Sequence, residues 1–551
     1  MTEPAAPHRN PVIRVRDLSV GLVHGSHRPV VDRVGFEIAP GETVCVVGES
    51  GSGKSVTAFS IMGLLQTNAL RPTGGEILLG DEDLLRAAPE RLRHLRSTRM
   101  SMVFQEPMTA LNPVEKVGRQ IEEVLLLHSR MGPAERRQRT LAMLETVHLP
   151  DPERIYESFP HQLSGGQRQR VVICIALILE PDLLIADEPT TALDVTTQQQ
   201  ILTLIREMQE RQNTAVLFIT HDMGVVADIA DRVVVMKDGR VVEVSDKERI
   251  LRAPTHDYTR MLISSVPSLV PELREPLRTE PVLTVEGLHK TFRKKRFLRP
   301  ASEVRAVQDV SLTLQRKEIL GVVGQSGSGK STVARCIVGL EEPSAGEIVI
   351  CGERLDRAGT AARRQMRRRI QMVFQDPYRS LNPRVRIGRS MIEGPTNFGV
   401  ATEAAMERAG ELMALVGLPT SALDRYPHQF SGGQRQRICV ARALMLEPAV
   451  LVADEAVSAL DVSVQEQVLE LLDEIREETG VGILFITHDL RVAARICDSI
   501  FVMNHGRVVE HGPAEHVLAR PEQAYTQKLF EAAPGRHWDF RNFRPIEGNS
   551  A

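Results

Sequence analysis

The chain has 551 residues, more than one hydrophobic core supports, so roughly two to four domains are expected. With 42% apolar residues, 25% charged residues and a net charge of −3, the composition is that of a soluble globular protein and argues against a nucleic-acid partner. The longest wholly apolar run, Val171 to Leu179, falls far short of the ~20 residues a membrane-crossing helix needs. No transmembrane segment is therefore expected. The start, Met1-Thr2-Glu3-Pro4-Ala5-Ala6, lacks the basic and apolar stretches of a signal peptide. Six cysteines (Cys45, Cys174, Cys336, Cys351, Cys439, Cys497) form no C-x-x-C pair and several sit in apolar runs, where cysteine behaves as a small hydrophobe. The cytosol is the expected compartment.

In chain order, Val12 to Val20 and Val34 to Ile38 read as strands, and Val44-Cys45-Val46-Val47 as a third. Next come Gly48-Glu49-Ser50-Gly51-Ser52-Gly53-Lys54-Ser55 and a helix-compatible stretch, Val56 to Met62. Strand, glycine-rich loop and helix are the context that confirms the phosphate-binding pattern G-x-x-x-x-G-K-[ST]. Gly48, Ser50, Gly51 and Gly53 let successive backbone N–H groups turn toward one anion, and the helix N-terminus adds partial positive charge. Lys54 would reach the β- and γ-phosphates and Ser55 would bind Mg²⁺.

Beyond the loop lie Gln105, a helix-patterned stretch from Gln120 to Ser129, and Ser164-Gly165-Gly166-Gln167. The last resembles a second anion site: serine is a good helix N-cap, and the glycines expose N–H groups at a helix start. The apolar run Leu183 to Ala186 ends in Asp187 and Glu188. Asp187 thus lies at the C-terminal edge of a strand, where open α/β sheets bind ligands and where Mg²⁺ needs an anchor, and Glu188 is placed to polarise an attacking water. A further apolar run, Val216 to Ile219, is followed by His221, which would contact the γ-phosphate, while Gln105 would reach the metal or the water. Short continuous apolar runs of this kind suit parallel strands buried on both faces.

The whole pattern then returns. Gly324-Gln325-Ser326-Gly327-Ser328-Gly329-Lys330-Ser331 repeats the phosphate loop, and Gln375, Ser431-Gly432-Gly433-Gln434, Asp454-Glu455 and His488 follow in the same order. Strands Val282 to Leu288 and Val310 to Leu314, and a helix over Glu403 to Val416, complete the second copy. Such a loop arises by accident in roughly 2% of chains this long, so two copies rule chance out. One domain of about 270 residues is present twice, a tandem pair and not a solenoid. We place domain one at 1–265, a linker broken by Pro267, Pro271, Pro276 and Pro281 at 266–281, domain two at 282–535 and a tail at 536–551.

Phosphate loop, glutamine, S-G-G-Q signature, acidic strand end and histidine, in that order, resemble the nucleotide-binding domains of ABC transporters over nearly the whole chain. The words F-Q-E-P-M-T-A-L-N-P and A-D-E-P-T-T-A-L-D-V-T are similar to those of bacterial dipeptide, oligopeptide, glutathione and nickel importer ATPases in their fused form. So are the tails Pro254-Thr255-His256-Asp257-Tyr258-Thr259 and Pro521-Glu522-Gln523-Ala524-Tyr525-Thr526. The resemblance implies an α/β fold: two tandem P-loop NTPase domains, each a RecA-like core with an antiparallel β-subdomain and a helical subdomain (roughly 106–163 and 376–430). It implies a head-to-tail sandwich with ATP and Mg²⁺ at two sites. Site one would use Lys54, Ser55, Gln105, Asp187, Glu188 and His221 with Ser431 and Gly433. Site two would use Lys330, Ser331, Gln375, Asp454, Glu455 and His488 with Ser164 and Gly166. Asp194 and Asp461 would meet at the interface, and both sites would hydrolyse ATP.

The implied partners are two transmembrane permeases and a periplasmic or lipid-anchored substrate-binding protein, with the chain peripheral on the cytoplasmic face of the bacterial inner membrane. Three departures from the family pattern stand out. Ala456 replaces the proline found at Pro189, so a looser turn is expected there. Phe292 or Phe297 would stack on adenine in the second half, whereas the first half offers only Leu22, His24 or His27. Some relatives hold an iron–sulfur cluster on cysteines in their C-terminal tails; none follows Cys497 or lies between Cys174 and Cys336, so no cluster is expected. Tandem ATPases of translation carry a long charged linker and those of DNA repair carry zinc cysteines, and neither feature is present. An exporter motor is the remaining alternative.

Overall fold

The computed structural model describes residues 10–546 except 25–27, 106–109, 191–192, 272–273, 275–278, 297–298, 356–358 and 459. The chain divides into two compact units: Met1–Ser264 with Pro534–Ala551, and Ser265–Ala533. In the first, a six-stranded sheet runs Arg240–Asp246, Arg232–Lys237, Thr43–Val47, Ala215–Ile219, Leu183–Asp187, Met100–Val103. All neighbours are parallel except the edge strand Arg240–Asp246. Every residue of the three central strands is buried. That is why they read as unbroken apolar runs: crossover helices leave a parallel sheet no wet face.

The second unit repeats the sheet as Ile370–Val373, Val450–Asp454, Gly482–Thr487, Ile319–Val323, Ser499–Asn504, Arg507–Pro513, again antiparallel only at the last pair. Each unit also carries a four-stranded antiparallel sheet. Its order is Val31–Ile38, Ile13–Leu22, Leu70–Leu79, Glu82–Asp83 in the first and Arg299–Gln315, Pro281–Arg296, Ala345–Ile350, Glu353–Arg354 in the second. Here burial alternates, as along Val31–Ile38, because one face packs on the core and the other meets water. These strands outrun the apolar runs that announced them. Pro281–Arg296 extends well past Leu288, held by ladder bonds to Arg299–Gln315 that polar residues make as readily as apolar ones. The helical layers are Val117–His128, Pro133–Thr146 and Pro152–Glu157 in one unit, and Ile387–Asn397 and Thr402–Leu415 in the other.

Two segments that read as connectors are built into a unit. In 266–281, Val266 is buried and Leu269 packs on the second unit's core. There Arg274 donates to both carboxylate oxygens of Asp473 at 3.2 Å and to the Arg495 carbonyl at 3.1 Å. The last stretch belongs to the first unit. Gly535 N–H donates to the Asp228 carboxylate at 3.0 Å, Phe540 is fully buried, and the Arg252 guanidinium lies 5.6 Å over the Trp538 ring. No described helix is long and apolar enough to cross a membrane.

Candidate functional site

In each unit the glycine-rich loop leaves the central strand at the C-terminal edge of the parallel sheet, the edge at which such sheets bind ligands. Gly48 and Gly324 sit at φ 150° in both copies. A Cβ there would fall 2.2 Å from the Met236 carbonyl or 2.3 Å from that of Met503, so only glycine passes. Lys54, 6% exposed, opens the helix Lys54–Met62 and donates to the carbonyls of Gly48 at 2.6 Å and Glu49 at 3.0 Å. Lys330 does the same to Gly324 at 2.7 Å and Gln325 at 2.9 Å. Each ammonium is thus held by the first two carbonyls of its own loop, the loop that also contains Ser50, Gly51 and Gly53, or Ser326, Gly327 and Gly329.

Ser55 Oγ donates to Asp187 Oδ1 at 3.1 Å, and Ser331 Oγ to Asp454 Oδ1 at 3.0 Å. Burial pushes the Asp187 carboxyl up to about 6, against the hydrogen bond from Ser55. Asp454 is raised for the same reason. A buried carboxylate beside a hydroxyl is a set of hard oxygen donors whose charge has no full neutralisation, which fits Mg²⁺.

The neighbouring glutamates are held by two side chains each. Gln105 Nε2 donates to Glu188 Oε2 at 3.0 Å, and His221 Nδ1 lies 3.3 Å from Glu188 Oε1. Gln375 Nε2 donates to Glu455 Oε2 at 2.7 Å, with His488 Nδ1 3.5 Å from Oε1. Both glutamines therefore meet the glutamate through the side-chain nitrogen. Burial works to raise Glu455, but the hydrogen bond and charge of His488, with Lys330 nearby, hold it below the usual carboxylate range. His488 is in turn raised: burial opposes the shift and Glu455 overcomes it.

One feature of these glutamates has no signal in the sequence. Glu188 and Glu455 adopt φ 47° and 49°, a region that costs a non-glycine residue about 1–3 kcal/mol and persists only where the surroundings impose it. Their N–H groups are tied to the carbonyls of Ile219 at 3.0 Å and Ile486 at 2.9 Å, across the neighbouring strand. The backbone at Glu455 thus matches that at Glu188 in φ and in this bond, although Ala456 stands where the first half has Pro189.

Ser164 and Ser431 cap the helices Gly165–Leu177 and Gly432–Leu444. Each accepts from the N–H of Gln167 or Gln434 while that glutamine's side chain bonds back to the serine N–H. Gly165 and Gly432 face open space, whereas a Cβ on Gly166 or Gly433 would fall 2.4 Å from Thr197 or 2.2 Å from Val464. Asp194 caps its own helix, accepting from Thr197 N–H at 3.1 Å and from the hydroxyls of Thr196 and Thr197 at 2.7 and 3.0 Å. Of the adenine-stacking candidates, Phe292 is 38% exposed with the Lys290 ammonium 4.8 Å over its ring, and Leu22 is 41% exposed. His24 is also exposed. Phe297 and His27 lie outside the described residues.

A family model described as ABC transporter matches residues 31–191 and 307–458. A second, described as oligopeptide/dipeptide transporter, C-terminal region, matches 242–298 and 509–551. Among similar proteins, the Glutathione import ATP-binding protein GsiA of Salmonella choleraesuis strain SC-B67 is 45% identical over 95% of this chain and 89% of its own. Its namesake in Pectobacterium atrosepticum is 44% identical over the same shares.

Proposed function

The chain belongs to the ABC transporter family, and from that membership we propose that it is the ATP-hydrolysing motor of an importer for peptides or a related small polar solute. The observation that carries the chemistry is the duplicated clamp: a glutamate at a strand end gripped by Gln105 and His221, or by Gln375 and His488, beside a serine–aspartate pair and a buried lysine. Lys54 and Lys330, with the loop amides, neutralise the phosphates. Ser55 and Asp187, or Ser331 and Asp454, hold Mg²⁺, which when bound draws charge from the phosphate oxygens. Glu188 and Glu455 polarise a water that attacks the γ-phosphorus as the bond to ADP breaks, and Gln105, Gln375, His221 and His488 aim the carboxylates. Ser164, Gly165 and Gly166, with Ser431, Gly432 and Gly433, offer helix-start amides to the nucleotide.

The import names of the relatives favour this reading over a motor for export, translation or DNA repair. They also support membrane permeases as partners, and in this reading the chain is peripheral at the cytoplasmic face of the inner membrane. Exposed Leu126 and Leu127 on the helix Val117–His128, with exposed Val114 in the turn before it, offer apolar surface for such contacts. A separate binding protein would choose the solute. No iron–sulfur cluster belongs to this proposal, since neither matched C-terminal region contains cysteine. Purification of tagged protein from native membranes in mild detergent, followed by mass spectrometry, tests it. Two multi-span permeases and a solute-binding protein are expected; ribosomal or DNA-repair proteins without a membrane partner would overturn it.

A further inference from the structure

The tails Pro254 to Thr259 and Pro521 to Thr526 recur in both halves, yet nothing in the hydrolysis chemistry uses them. Each is clipped in place by a strand carboxylate. Glu243 accepts from the N–H groups of Thr255 at 2.8 Å and His256 at 3.1 Å, and Glu510 from those of Glu522 at 2.8 Å and Gln523 at 3.2 Å. The clip starts the helices Asp257–Ser264 and Ala524–Glu531 at a fixed point, and from each a tyrosine reaches the phosphate loop. Tyr258 Oη accepts from Glu49 N–H at 3.0 Å, and Tyr525 Oη accepts from Gln325 N–H at 3.2 Å.

These amides belong to the peptide groups Gly48–Glu49 and Gly324–Gln325. The carbonyl oxygens of the same two groups accept from Lys54 Nζ and Lys330 Nζ. One peptide plane in each loop is therefore gripped at both ends, N–H by tyrosine and C=O by lysine. Rotation of that plane would move the lysine's anchor and turn the adjoining N–H groups away from the anion they cradle. We propose that Tyr258 and Tyr525 are positioning residues for ATP, each locking the first peptide of its phosphate loop so that lysine and amides are set before nucleotide arrives. The first tyrosine is also the more tightly held: it is 4% exposed, with the Lys237 ammonium 4.8 Å over its ring, while Tyr525 is half-buried.

The inference rests on the reading of Lys54 and Lys330 as phosphate-binding groups, and the test separates the two. In the full-length chain, Tyr258→Phe, Tyr525→Phe and the double variant keep the ring and remove only the hydroxyl. ATP affinity is measured by titration of a fluorescent ATP analogue and by KM, alongside kcat and thermal melting, with Lys54→Ala and Lys330→Ala as controls. Loss of the hydroxyl, which at Tyr258 also donates to the Glu49 carboxylate at 3.4 Å, should weaken nucleotide binding about threefold to tenfold at the altered site, with kcat within about twofold and the melting temperature little changed. Unaltered affinity in all three phenylalanine variants, with binding lost in the lysine controls, would overturn the role of the tyrosines alone. A fall in melting temperature with no change in KM would reduce them to packing residues, and unaltered binding in the lysine controls would instead overturn the site reading.

Discussion

The two halves bind their groups at nearly the same distances and support them with different neighbours. Serine meets aspartate at 3.1 and 3.0 Å, lysine meets the first loop carbonyl at 2.6 and 2.7 Å, and the glutamates share a positive φ. Around this shared centre the sequences diverge. Asp194 caps its helix with the help of two threonine hydroxyls, while the second half has Ser463 and Val464 at those positions and Asp461 makes no side-chain cap bond. The helix after His221 carries Asp228, which accepts from Gly535 N–H. The helix after His488 carries Arg495 instead, which pairs with Glu466 and Asp473 in the cluster that holds Arg274. Duplication preserved the atoms that would touch nucleotide and left the scaffold free to specialise, since different packing solutions reach the same local geometry.

The sharpest way to break this equivalence is at the glutamates. Glu188→Gln and Glu455→Gln should each cut the initial ATPase rate well below half, and the double variant by about 10²–10⁴-fold. If Glu188→Gln alone leaves that rate untouched while Glu455→Gln removes it, the two sites are not equivalent despite their matching geometry.

A smaller effect tests the buried aspartates. Because Asp187 is raised to about 6, its contribution to stability is full below the unfolded value near 3.8 and is lost as pH rises through 6. In metal-free protein Asp187→Asn should therefore stabilise at pH 8, by about 1–3 kcal/mol, and give no gain near pH 4. Asp454→Asn should act in the same direction. Melting curves at the two pH values, with and without Mg²⁺, check this, and an equal shift at both pH values would refute it.

The signature glycines sharpen the comparison further. Gly433→Ala forces a Cβ against Val464 and should cost about 1–3 kcal/mol, whereas Gly432→Ala faces open space and should cost under about 1 kcal/mol. Gly166 and Gly165 should show the same order, with the penalty in the first half falling on Thr197. Chemical denaturation of the four variants measures it.

Much of this was legible in the residues. Glycine spacing, a lysine at a helix start and a carboxylate closing an apolar run are local signals, because each depends on backbone conformations and burial that neighbouring residues impose. Strand ends were read less well, since Arg293 and Lys294 extend a ladder through backbone bonds that leave no apolar trace. The glutamines were assigned to metal or water, and the structure adds a contact that spacing does not show, from each glutamine's side-chain nitrogen to the neighbouring glutamate.

By itself the sequence determined the duplication, the order of the loops and which side chains carry charge to the end of each sheet, because those are matters of local pattern. Only the tertiary structure decided that Glu188 and Glu455 turn at positive φ against a neighbouring strand, and that Tyr258 and Tyr525 meet peptides 209 and 200 residues away. It alone placed Val266, Leu269 and Arg274 in the second unit and Gly535, Trp538 and Phe540 in the first. Those outcomes depend on which backbone groups are left over once the sheets have formed, and a buried N–H donates to whichever oxygen the fold brings within reach.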